Sequence, residues 1–168
     1  MTSFTHSATP ISPSILSPEE QQAVWFLGAL VRLRVPGAAT GGALSVLEHL
    51  GERGYGSPLH RHDNDEETFL VLDGELRVEV DGLQRAAGPG AIAVLPRALA
   101  HSFVVTSPTA RFLTLHTPAG FDDFTVRAGA PADSLDHPPL DAAPLDPAEL
   151  ARMASFYGIE ILGPPPAP

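Results

Sequence analysis

Three side chains able to ligate a metal, His60, His62 and Glu67, fall in one run between Gly54 and Gly74, and no other stretch constrains the fold as tightly. On an extended strand, residues two apart leave the same face, so both imidazoles project together. Asp63-Asn64-Asp65 is a turn-forming triplet, and the gap it fills lets the next strand bring Glu67 back beside the pair. A fourth candidate follows in GPGAIAVLPRALAHSF. There Pro89-Gly90 marks a turn, Ala91–Leu95 reads as a short buried strand, Pro96 ends it, and His101 opens a neighbouring strand.

Two histidines, a carboxylate and a third histidine form a mixed nitrogen and oxygen donor set. It suits one divalent ion per chain, drawn from Fe, Ni, Mn, Co, Cu or Zn, and leaves positions open on an octahedral ion. A lone His-x-His pair is more often an ordinary strand feature. The spacing of Glu67, His101 and the flanking Gly and Pro positions makes it a metal motif. Glu67 fits better than Glu66, which points to the opposite strand face and would need a turn one residue shorter.

The pattern G-x5-H-x-H-x4-E-x6-G is met in full by Gly54, His60, His62, Glu67 and Gly74, and it resembles the first motif of the cupin family. The second motif, G-x5-P-x-G-x2-H-x3-N, is met at Gly90, Pro96 and His101, while Ala98 stands in place of its glycine and Val105 in place of its asparagine. The turn from Pro96 to His101 must then be built without the usual glycine. The resemblance implies a double-sheet jelly-roll barrel with the metal inside one end, held by His60, His62, Glu67 and His101. The segment YGIEILGPP is similar to the C-terminal segment of small bacterial cupins related to quercetin dioxygenase.

The rest of the chain agrees with an all-β fold. Val24–Leu27, Leu30–Val35, Leu44–Leu50, Thr68–Leu72, Glu75–Val80, Leu83–Ala87, His101–Thr106 and Arg111–Thr117 are short strand-like runs separated by Gly and Pro turns. In Glu75–Val80 the alternation predicts Leu76, Val78 and Val80 facing a core. Residues 1–20 read as a mobile N-terminal arm, 21–120 as the barrel and 121–168 as a C-terminal helical extension. In that extension a short helix starts near Phe121, and a connector follows. A helix over 147–157 is announced by Asp146, Pro147 and Glu149, and Ile159–Leu162 docks as a strand or clamp. The extension reads as a lid or packing element.

A net charge of −10, from ten arginines against twenty acids with no lysine, argues against nucleic acid, since no cationic cluster is present to neutralise phosphates. Absence of cysteine rules out disulfides and thiolate ligands. The apolar run Ala23–Val31 is too short to span a bilayer. The expectation is a cytoplasmic protein, and the Ala-, Pro-, Gly- and Arg-rich composition points to a bacterial source. A homodimer, through the sheets and the N-terminal arm, is what the resemblance implies.

Phe69 and Val71 share strand parity with Glu67, and Phe103 and Val105 with His101. These four are expected to line the cavity beside the metal, or else to be plain barrel core. His116 either points into the barrel toward the substrate or faces outward, because parity needs a register; His49 is a weaker candidate. His6 and His137 lie in segments that read as mobile. An apolar pocket would take a small aromatic or polyketide-like molecule. Three functions remain open. One is a quercetinase-like dioxygenase with Glu67 as both ligand and catalytic base. The second is a non-redox cyclase, isomerase or dehydratase, and the third a ligand-binding cupin without catalysis.

Overall fold

The computed structural model describes residues 11–132, 134–138 and 145–168. The expectations for residues 1–10, including His6, and for 133 and 139–144 of the connector lie outside the described residues. Twelve strands form among them: β1 (Ala23–Phe26), β2 (Ala29–Val35), β3 (Ser45–Glu52), β4 (Leu59–His62), β5 (Glu66–Asp73), β6 (Leu76–Val80), β7 (Leu83–Ala87), β8 (Ile92–Leu95), β9 (His101–Val105), β10 (Thr109–Thr117), β11 (Ala130–Pro131) and β12 (Ile159–Gly163). Two helices, α1 (Phe121–Ala128) and α2 (Pro147–Ser155), follow the barrel strands in sequence. No helix among the described residues is long and apolar enough to cross a membrane.

The strands form two antiparallel sheets, β11-β1-β2-β3-β10-β5-β8 and β12-β4-β9-β6-β7. Alternation decides what lies between them. On β5, Glu67, Phe69 and Val71 are buried while Glu66, Thr68, Leu70 and Leu72 face outward, and on β10 Phe112, Thr114 and His116 are buried opposite them. Phe69, Phe103, Phe112, Leu76 and Leu95 fill the barrel, each such side chain contributing about 1.5–3 kcal/mol through burial. A second apolar cluster joins Val24, Phe26, Val31 and Leu47 to Phe124 of α1, Leu150 and Ala154 of α2, and Ile159 of β12.

Three expectations change. β8 is an edge strand rather than a buried one: Ile92 and Val94 are 66% and 60% exposed, because a five-residue apolar run still turns alternate side chains outward. Val80, at the end of β6, is only half-buried. α2 stops at Ser155, two residues short of the expected end. Its start is as read, with Asp146 Oδ1 accepting from the Ala148 and Glu149 N–H groups.

Ile159–Leu162, expected to dock as a strand or clamp, lies in the smaller sheet as part of β12. β12 pairs with β4 at Ile159↔His62, Glu160↔Arg61, Ile161↔His60 and Gly163↔Leu59, whereas β4 meets β9 only at His60↔His101. At the turn before β9, Ala98 takes the conformation of the glycine it replaces, with φ +66°, and its N–H donates to the His62 carbonyl at 2.7 Å. A left-handed conformation costs a non-glycine residue about 1–2 kcal/mol.

Candidate metal centre

Strand parity and one turn assemble the site. β4 presents His60 and His62 inward, the Asp63–Asp65 turn returns the chain to β5 with Glu67 inward, and His60↔His101 pairing sets the third imidazole beside them. One ligating atom from each of His60, His62, Glu67 and His101 lies within 4.8 Å of the others, and all four residues are buried. Glu66 is outside, its carboxylate bonded to Arg97 at 2.8 Å.

Proton bookkeeping tests whether a cation fits. His60 Nδ1 donates to the Pro58 carbonyl at 2.8 Å, His101 Nδ1 to the Leu99 carbonyl at 2.9 Å, and His62 Nδ1 to the Asp65 carboxylate at 3.0 Å. Each neutral ring therefore turns a bare Nε2 lone pair inward. His60 Nε2 and His62 Nε2 are 3.1 Å apart, and His101 Nε2 sits 3.2 Å from Glu67 Oε2. Four electron-rich atoms converge, and His101 Nε2 is buried without a hydrogen-bond partner. A divalent cation satisfies all four at once, so the donor set fits the ion.

Electrostatics bear on the same atoms: burial lowers the His62 imidazole, but the Asp65 bond and the Glu67 charge outweigh it and raise it, so a proton and a cation compete for that ring. Burial, reinforced by His101 and His62, pushes the His60 imidazole down to about 3, which keeps it neutral. Burial alone would raise Glu67, but the bond from His101 and the charges of His116 and His62, which those rings supply when protonated, outweigh it and hold the carboxyl below the usual carboxylate range, and a bound cation does the same beside neutral rings. So low a carboxylate is a good ligand and a weak base. Asp65 behaves alike: burial opposes its ionisation, and the bonds from His116 and His62 take it down to about 2.

Asp65 is the residue that sequence reasoning missed. It is buried rather than a solvated turn residue, accepting from His62 Nδ1 and, at 2.8 Å, from His116 Nδ1. His116 faces inward, paired across the sheet with Glu67, and stacks on Phe121 at the start of α1. Its Nε2 lies 3.2 Å from Thr114 Oγ1, which is 3.1 Å from His49 Nε2; His49 Nδ1 is 2.8 Å from the Tyr55 hydroxyl. His137 is exposed and away from the site.

A cavity of about 30 Å³ opens beside the ligands, lined by His60, Glu67, His49, Tyr55, Thr114 and Phe103, among others. Of the four residues expected to line it, Phe103 does. Phe69, Val71 and Val105 pack in the barrel core. An apolar cleft of about 40 Å³ shares Phe26, Leu27, Ser57, His60 and Phe121 with the cavity and runs out between α1, α2 and β12. Together they hold a few waters, less space than an aromatic ring fills.

Residues 46–116 match the cupin domain family. Across that stretch the chain is similar to a cupin domain, and its fold is the cupin jelly-roll. Over 150 residues, 89% of this chain, it is 26% identical to quercetin 2,3-dioxygenase of Bacillus subtilis, and the match spans 44% of that relative's length. KdgF from Halomonas sp. superposes with a TM-score of 0.58 at 22% identity, covering 66% of this chain and 99% of that one. An RmlC-like cupin from Shewanella frigidimarina gives 0.58 at 18% identity, covering 67% and 96%. The two structures speak for the fold, which is that of a cupin jelly-roll with a small helical part.

Proposed function

We propose that this protein is a metal-dependent dioxygenase acting on a small phenolic or enolic molecule. The observation that carries the metal is the convergence of three Nε2 lone pairs and the Glu67 carboxylate within 4.8 Å. The dioxygenase reading is supported by the 26% identity to quercetin 2,3-dioxygenase. His60, His62, Glu67 and His101 would hold the ion; a redox-active ion supplies dioxygen chemistry there, and Zn supplies Lewis acidity. The chain's own residues do the rest. Phe26, Leu27 and Phe121 give an apolar approach that excludes water, and Phe103 walls the inner cavity. Glu67 is first a ligand, and its depressed proton affinity limits it as a base to a hydroxyl already made acidic.

The deciding experiment is elemental mass spectrometry of untagged protein beside His101→Ala. Near one equivalent of Fe, Ni, Mn, Co or Cu, lost in the variant, with oxygen uptake on flavonols or phenols, is the expected result. One equivalent of Zn and no oxygen uptake would shift the reading to cyclase, isomerase or dehydratase chemistry. No ion retained under any loading condition would leave a ligand-binding cupin.

A further inference from the structure

The turn between β1 and β2 carries Leu27 where the backbone favours another residue. Phe26 pairs with Ala29, so Leu27 and Gly28 make the whole loop, and both have positive φ, +51° and +88°. Asn-Gly or Gly-Gly builds such a hairpin loop best, because an ordinary Cβ in the left-handed region crowds the carbonyl that follows it. Leu27 is held against that preference and gains little burial in return, being 39% exposed. Residues kept in such a conformation by their surroundings cluster where ligands are clamped or admitted.

Its side chain stands where two spaces meet. The inner cavity, with His60 and Glu67 in its wall, and the apolar cleft between α1, α2 and β12 have Phe26, Leu27, Ser57, His60 and Phe121 in common. Neighbours hold the other residues of that group. Phe26 is buried edge-on against Phe121 and Phe124, and Phe121 stacks on His116 with ring centroids 4.3 Å apart. Ser57 donates its N–H to the Phe103 carbonyl and accepts from the Phe103 N–H, while His60 is bonded to the Pro58 carbonyl. Leu27 alone of the group is exposed. It is the side chain at this junction with solvent to turn into.

We propose that Leu27 is a specificity-determining residue that sorts ligands by size at the entrance to the metal. A ligand of a few atoms passes beside it, and a ring takes the space that its side chain fills. This deepens the proposed function and rests on it: the substrate is a ring compound that enters by displacing Leu27. The residue is then kept for what it excludes and not for the turn it makes.

The test follows ligand entry by stopped flow in protein loaded with Co(II), whose visible spectrum reports a new ligand on the metal. Azide is the small probe and catechol the probe that carries a ring. In Leu27→Ala and Leu27→Asn, catechol is expected to associate at least about tenfold faster than in wild type, because binding that waits for a conformational change is slow. Azide should associate at the same rate in wild type and both variants. Asn suits the turn, so the urea midpoint of metal-free Leu27→Asn should be no lower than that of wild type. A lower midpoint there shows a side chain kept for packing and overturns the inference. Unchanged catechol rates, a parallel rise for azide, or no catechol binding to any of the proteins also overturns it, while the metal reading stands. Failure to retain cobalt at all removes both.

Discussion

Replacing Asp65 by Asn isolates what the buried carboxylate does for the metal. The amide has the same shape but one accepting oxygen and one NH2 donor, whereas Asp65 receives N–H groups from both His62, at 3.0 Å, and His116, at 2.8 Å. His62 Nδ1 is 3.0 Å from both oxygens, so in the amide it keeps only a share of the oxygen that His116 also uses and meets the NH2 group with its other contact, a weakened buried N–H that costs up to about 1–3 kcal/mol. The ring can escape by moving its proton to the other nitrogen. If His62 does so, the proton lands on Nε2, the atom that converges with His60, Glu67 and His101. Loss of such an orienting partner weakens metal binding about 10–100-fold, or roughly 1.4–2.7 kcal/mol. Competition of wild type and Asp65→Asn for Zn against a chelator of known affinity measures this, and thermal unfolding of the metal-free forms separates it from a general loss of stability. A Zn affinity within twofold of wild type would refute the claim that Asp65 sets the His62 tautomer.

Ala98→Gly should relieve the φ +66° conformation and stabilise the fold, by about 1 kcal/mol at most once the freer unfolded chain is counted; a lower urea midpoint would show that the turn is not strained. Burial pushes His49 down from 6.5 to about 3, so the unfolded chain binds the extra proton between those values. Its contribution is full above about pH 6.5 and is lost as pH falls toward 3, at about 1.4 kcal/mol per pH unit. In metal-free protein, His49→Gln should flatten the stability-versus-pH slope by one proton, and an unchanged slope would contradict the buried neutral ring. The outer face of the larger sheet carries Ile92 opposite Leu70 and Leu113 beside it, all uncovered to some degree. Sedimentation is expected to show a dimer that Val94→Arg drives toward monomer, whereas a wild-type monomer at micromolar concentration would end that proposal.

Spacing made the candidate ligand quartet legible as a cluster because the strand period and one turn suffice to align His60, His62 and Glu67. Parity fixes a face but not a depth. Phe69, Val71 and Val105 share the ligands' faces yet sit farther along their strands, in the core, while Phe103 reaches the cavity. His116 and His49 needed registers, His116↔Glu67 and His49↔Phe112, which depend on strands far apart in sequence. Asp65 was hidden by its own chemistry, since a buried acceptor and a solvated turn residue read alike. Tyr55 carried no periodic signal, and its contact with His49 in the cavity wall appears only once the sheets are assembled.

The pairing of β4 also orders events while the chain is being made. The strand bearing His60 and His62 has one rung to β9 and four paired positions to β12, so its principal neighbour does not exist until residues 159–163 have been synthesised. A nascent chain can close most of the barrel before then. All four candidate ligands are synthesised by residue 101, so what waits for β12 is the anchoring of their strand and not the donor set itself.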